Sequence, residues 1–226
     1  MTTSDSPLVN SSLAGPIRTV HAALRDLVPE GSRSEEERDL PDLVDELEDL
    51  ARAARAAAAA LLGPAFSWRA AEEPPADALW APVIVQLDLD RGRDDDPAGV
   101  SDIREWEDSA IDLAARAYAR ETSLDHPPGE GGIWLLSLAP YSHTPIDDRP
   151  FRRGMLTGFV VLHDRDTDGR YESLAHIWTA AEWRRRGVGR SLVKEARARF
   201  PLTRAEGPFT PAGCTLLRSS AAELLP

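Results

Sequence analysis

The residues best placed to do chemistry lie between His176 and Ala196, in the run HIWTAAEWRRRGVGRSLVKEA. An apolar strand pattern stops at Thr179, and glycines follow at Gly187 and Gly189. A helical pattern through Leu192, Val193 and Ala196 begins directly after them. Glycines let the backbone turn tightly and come close to a ligand. A helix start offers unpaired N–H groups and the positive end of its dipole. Strand, glycine turn and helix start together make an anion site. Arg184, Arg185, Arg186 and Arg190 place positive charge there in an otherwise acidic chain. That local reversal of sign suits a pyrophosphate or a 3′-phosphate. By spacing alone, an arginine-flanked surface loop is an equal reading. The G-x-G-x-x-G opening of dinucleotide folds is absent, and no G-K-[ST] of a Walker loop follows.

The elements that must position this run read as a helical N-terminal segment followed by a mixed α and β segment. Residues 1–13 read as a disordered tail, 14–64 as a helical hairpin and 65–226 as the main domain. Ile17, Val20, Leu24 and Leu27 share one face of a helix over Pro16–Leu27. Ser34 with Glu37 forms a capping-box pattern, and Pro41 fits a first helical turn. Leu43, Leu47, Leu50, Ala54, Ala57 and Leu61 make a second stripe, ended by Gly63-Pro64. The hairpin reads as a packing element, or alternatively as an arm for dimerisation or partner binding.

Ser67–Ala81 is proline-rich and reads as irregular. Strands are expected at Pro82–Leu89, Ile133–Ala139, Met155–His163 and Tyr171–Thr179, the last two joined through Asp168-Gly169. Ser101 is the expected cap of a helix to about Arg120, with Ile103, Trp106, Ala110, Leu113 and Ala117 inward. Further helices are expected over Gly187–Phe200 and after a Thr210 cap with Pro211 behind it, with a short extended piece at Leu202–Glu206 between them.

Composition narrows the function. Of 226 residues, 42% are hydrophobic and 28% charged, which is the balance of a globular protein with a real core. The net charge of −12 disfavours nucleic-acid binding. No run reaches the roughly 20 apolar residues of a membrane helix. The N-terminus has no basic-then-apolar secretory pattern. The single cysteine, Cys214, fits a reducing cytoplasm and leaves too few thiols for a cysteine zinc site, so no metal is expected. All basic residues but Lys194 are arginine, a bias typical of GC-rich bacterial genomes.

Arg184-Arg185-Arg186-Gly187-Val188-Gly189 resembles the R/Q-x-x-G-x-G/A signature of the GNAT superfamily of acyl-CoA-dependent N-acetyltransferases. Glu182-Trp183 before it and Leu192 after it also resemble the family, while Ala181 stands where the family usually has proline. The resemblance covers about Pro82–Leu217. It implies an α+β fold with a mixed, mostly antiparallel sheet flanked by helices, here carrying an N-terminal helical hairpin and a shortened C-terminus. It implies that Ile177, Trp178 and Thr179 meet the pantetheine of acetyl-CoA. Arg184, Arg185, Arg186, Gly187, Val188, Gly189 and Arg190 would meet the pyrophosphate. The strand at Leu202–Glu206 would splay from its neighbour to leave a slot for the thioester.

Acetyl transfer to an amine needs a base for the amine proton and an acid for the leaving thiolate. His176 and Glu172 are the candidate bases, expected on one strand face from their even spacing. Each is also readable as an ordinary strand residue, hydrogen-bonded or solvated. The family often uses a tyrosine as the acid, but no tyrosine follows Arg190; Cys214, Ser219 and Ser220 are the remaining side chains there. The expected function is an N-acetyltransferase acting on a primary amine of a small molecule or peptide. The alternative is a catalytically degenerate acyl-CoA-binding or interaction module. A homodimer through the N-terminal helices or an open sheet edge is the expected assembly.

Overall fold

The computed structural model describes residues 40–69, 75, 78–90, 109–125, 127–129, 131–146 and 149–225. The expected tail, the helix at Pro16–Leu27, the Ser34 cap and the positions Ser101, Ile103 and Trp106 lie outside the described residues.

Helix α1 runs from Leu40 to Leu62, with Pro41 in its first turn. It stops where the Gly63 N–H donates to the Ala59 carbonyl at 3.0 Å. Among its described side chains Ala59 is buried and Ala60 packs against the core, whereas Ala57 of the expected stripe is exposed. The chain then enters a strand, β1, at Ala65–Arg69, where the proline-rich reading anticipated irregular structure. Phe66 and Trp68 alternate into the core, and the prolines that would forbid pairing lie after Arg69. The Pro64 carbonyl accepts from the Leu156 N–H at 2.9 Å, and Ala60 of α1 packs against the cluster that holds Phe66 and Trp68.

Strand β2 is Val83–Asp88, and helix α2 is Ala110–Thr122. Ser109 has extended backbone, and its hydroxyl accepts from the Asp112 N–H at 3.1 Å. The helix therefore starts at Ser109, not at Ser101, and its most buried residues include Ile111, Ala114 and Ala115 as well as Ala117. Leu113 is only half-buried. Strands β3, Ile133–Ile146, and β4, Arg149–His163, are both longer than their apolar stretches, because they pair with each other along most of their length. Strand β5 is Ser173–Thr179. Helix α3, Val188–Arg199, strand β6, Arg204–Ala205, and helix α4, Pro211–Ser220, follow, with the Thr210 hydroxyl capping α4 and a 3₁₀ turn at Ala222–Leu224 after it.

The sheet order is β2-β3-β4-β5-β6, with β1 on β4 as well. Both β1 and β5 lie along β4, β1 against Phe151–Met155 and β5 against Gly158–His163. All pairs are antiparallel except β5–β6. Alternation along β3 divides the core. Trp134, Leu136 and Leu138 face Ile111 and Ala114 of α2, while Ile133 and Leu135 face Leu192 and Val193 of α3. Each such fully buried leucine contributes about 1.5–3 kcal/mol of transfer free energy. Among the described residues the architecture is thus a mixed α+β fold with an open, mostly antiparallel six-stranded sheet and four α-helices. Among the described residues, no helix is long and apolar enough to cross a membrane.

Candidate functional site

Strands β5 and β6 pair only at Ser173–Arg204 and Leu174–Ala205, with a last bond from the Glu206 N–H to the Leu174 carbonyl at 2.9 Å. Past that point the chain leaves β5. A groove of about 1130 Å³ opens along Ile177, Trp178 and Thr179. Phe209 and the start of α4 form its opposite wall, and the first turn of α3 closes one end. Tyr118 and Glu121 of α2 reach it as well.

The loop between β5 and α3 is fixed by four anchors. The Ala180 N–H donates to the Thr157 carbonyl at 3.0 Å. A single 3₁₀ turn, Ala181–Trp183, follows, and the Trp183 indole N–H donates to the Leu62 carbonyl at 3.0 Å. Arg184 donates to the Thr179 carbonyl at 3.0 Å and ion-pairs with Glu121. Gly187 then caps α3 with φ +88°, a left-handed conformation that side chains with a Cβ disfavour. No side chain caps this helix. Its first one-turn bond, Ser191 N–H to Gly187 carbonyl, measures 2.9 Å. The N–H groups of Val188, Gly189 and Arg190 precede that bond, so no carbonyl one turn back can take them. A Cβ on Gly189 would lie 2.9 Å from Leu216 Cδ2, so glycine here lets α4 approach.

Nearly all the residues anticipated for anion binding meet in the groove: Arg184, Arg185, Arg190 and the backbone from Gly187 to Gly189 line it. Arg186 does not; its guanidinium stacks 5.4 Å from the Trp183 ring centroid. The Trp178 indole nitrogen is buried in the groove wall without an acceptor.

His176 sits behind the groove rather than in it. Its Nδ1 lies 3.3 Å from the Tyr118 hydroxyl, and its ring packs edge-on to Tyr118 and to His163. Burial pushes His176 down to about 4, and the neighbouring His163 adds to the effect. Burial likewise lowers His163 and raises Tyr118. Near neutral pH both histidines are uncharged and Tyr118 keeps its proton.

Glu172 is not on the face of His176, contrary to their even spacing. On β4, Val161 pairs with His176 but Leu162 pairs with Leu174, so Ala175 is an extra residue. This bulge inverts the alternation: Leu174 packs toward α3, while Trp178 packs toward α2. Glu172 precedes β5, and its Oε1 accepts from Arg204 at 2.6 Å and from the Arg165 N–H at 3.2 Å. It lies outside the groove.

Among the groove residues that the sequence does not point to are Tyr118 and Glu121. Tyr118 follows Ile111, Ala114 and Ala115 at helical spacing, and a lone phenol on that buried stripe was the available signal. Of the other anticipated proton donors, Ser219 lines the groove and donates to the Leu216 carbonyl at 2.9 Å, and Cys214 is half-buried. Compared with known protein families and with curated proteins, the chain matches none.

Proposed function

We propose that this protein is a GNAT-type N-acetyltransferase that moves an acetyl group from acetyl-CoA to a primary amine. One observation carries the reading: the free edge of β5 at Ile177–Thr179 and the uncapped first turn of α3 open into a single groove. The strand edge offers N–H and C=O groups to an extended amide-bearing arm. The helix start, with Arg185 and Arg190 beside it, offers an anion cradle for the pyrophosphate.

In this proposal the amine nitrogen attacks the thioester carbon, the C–S bond breaks, and the thiolate takes a proton from the Tyr118 hydroxyl. Tyr118 takes the place of the C-terminal tyrosine that the chain lacks after Arg190. Glu121, on the groove rim, receives the proton lost by the amine. His176 is assigned as the positioning residue of Tyr118, since it lies behind the groove and its Nδ1 is 3.3 Å from the Tyr118 hydroxyl. Net charge of −12 draws cationic acceptors toward the site. The thiol chemistry and the lone Cys214 fit a reducing cytoplasm.

A second reading, a silent acyl-CoA-binding module, is favoured by one fact: His176 reaches the groove only through Tyr118. Acetyl-CoA titration followed by thiol release with an amine panel separates the two. Amine-dependent thiol release supports the enzyme, binding without turnover supports the module, and absence of binding removes both.

A further inference from the structure

The hairpin between β4 and β5 reads Asp164-Arg165-Asp166-Thr167-Asp168-Gly169-Arg170-Tyr171-Glu172. Carboxylates at the first, third and fifth positions with glycine at the sixth are the opening of a calcium-binding loop. Such a loop adds a backbone carbonyl at its seventh position and a ligand at its ninth, here Arg170 and Glu172. The twelfth position, a glutamate in helical calcium loops, is Ala175 and belongs to β5.

The fold brings three of these carboxylates together. Oxygen atoms of Asp164, Asp168 and Glu172 all lie within 4.8 Å of one another. Asp164 anchors the loop, accepting from the Asp168 N–H at 3.1 Å and the Gly169 N–H at 2.6 Å. A second observation, independent of the clustering, points to a ligand. Glu172 is 7% exposed, and its Oε2 is buried with no hydrogen-bond partner, although Oε1 is held by Arg204. A buried carboxylate oxygen with no partner carries a desolvation cost that a bound cation would remove. The cationic side chains at the cluster are Arg204, 2.6 Å from Glu172 and 3.6 Å from Asp166, and Arg170, 3.4 Å from Asp168. Arg165 is taken up by Glu206. Four carboxylates thus face two paired guanidiniums, leaving net negative charge.

We infer that this hairpin binds one divalent cation of the calcium class through the clustered Asp164, Asp168 and Glu172, with Asp166 and the Arg170 carbonyl supplying the third and seventh positions of the loop pattern. All the donors are hard oxygens, which suits Ca²⁺, and a loop held open at one side suits it better than the smaller, stricter Mg²⁺. Without the twelfth-position glutamate the affinity is modest, with Kd of about 10⁻⁴ M. The cation pins the turn to the start of β5, about 13 Å along that strand from the first groove residue, Ile177. The inference is therefore independent of the proposed acyl transfer.

Calorimetric titration of the full chain with CaCl₂, in about 0.1 M KCl to screen non-specific attraction, tests it. The expected result is saturable one-to-one binding, a raised melting temperature, and weaker binding of MgCl₂. Asp168→Asn, at a half-exposed side chain, is expected to weaken binding about tenfold or more with the fold intact by circular dichroism. Arg204→Gln frees Glu172 Oε1 and is expected to tighten it. Asp125→Asn, on exposed surface elsewhere, should leave binding unchanged. No saturable heat up to about 10 mM Ca²⁺, or binding unaffected by Asp168→Asn, overturns the inference.

Discussion

The indole N–H of Trp183 donates to the carbonyl of Leu62 at 3.0 Å, tying the loop before α3 to the last turn of α1. Carbonyls in a helix's last turn have no partner within the helix, so this bond satisfies one of them. Trp183→Phe keeps the ring under Arg186 and deletes the donor. It is expected to cost about 1 kcal/mol in urea denaturation. A wild-type midpoint in that variant would show that the loop is held by its other anchors.

Gly187 tests backbone conformation apart from packing. No atom lies within 4 Å of where a Cβ would stand, yet φ is +88°. Gly187→Ala is therefore expected to lose about 1–2 kcal/mol through strain alone. Acetyl-CoA affinity should fall with it if the first turn of α3 holds the pyrophosphate. Chemical denaturation and calorimetry on the same sample give both values.

Tyr118→Phe is expected to lower kcat about 100-fold or more while leaving acetyl-CoA affinity near wild type, because a positioned proton donor acts on the chemical step. His176→Gln should reduce kcat less. If Tyr118→Phe retains full kcat with the best amine, Tyr118 is not the acid.

Stability should fall with acid in two windows. His176 titrates near 4 in the fold against 6.5 when unfolded, so between those values the unfolded chain binds more protons. His163, lowered in the same way, acts with it. Stability therefore declines as pH drops from about 6.5 toward 4. Glu206 is held down to about 2, first by its hydrogen bonds from Arg165, against 4.5 unfolded, and its contribution is lost as pH drops from 4.5 toward 2. Melting temperatures of His163→Gln/His176→Gln should lose the upper decline, and those of Glu206→Gln the lower. An unchanged pH profile in both variants would contradict the assignment.

Local patterns made most elements legible. The Thr210-Pro211 start of α4 and the glycine turn before α3 follow from capping and left-handed backbone, which single residues dictate. Strand β1 was hidden because Phe66 and Trp68 gain strand character only from pairing with Phe151–Met155, far along the chain. The start of α2 was misplaced because Ser101 and Ser109 are both competent caps, and the sequence does not say which one a helix uses. The groove loop was readable since its residues are contiguous. Tyr118 and Glu121 were not, because a helix about sixty residues earlier delivers them to the same opening.

The unpaired residue at Ala175 is a phase shift written into the sheet. Before it, even-numbered side chains turn toward α3; after it, they turn toward α2. Deleting that one residue would set Leu174 and His176 side by side opposite Leu162 and Val161, which are themselves consecutive. The ladder would then run on without a break, and Leu174 and Trp178 would keep the faces they now occupy. The hairpin and the groove thus sit on one strand in opposite phases of the numbering, and Ala175 is the residue the pairing itself does not use.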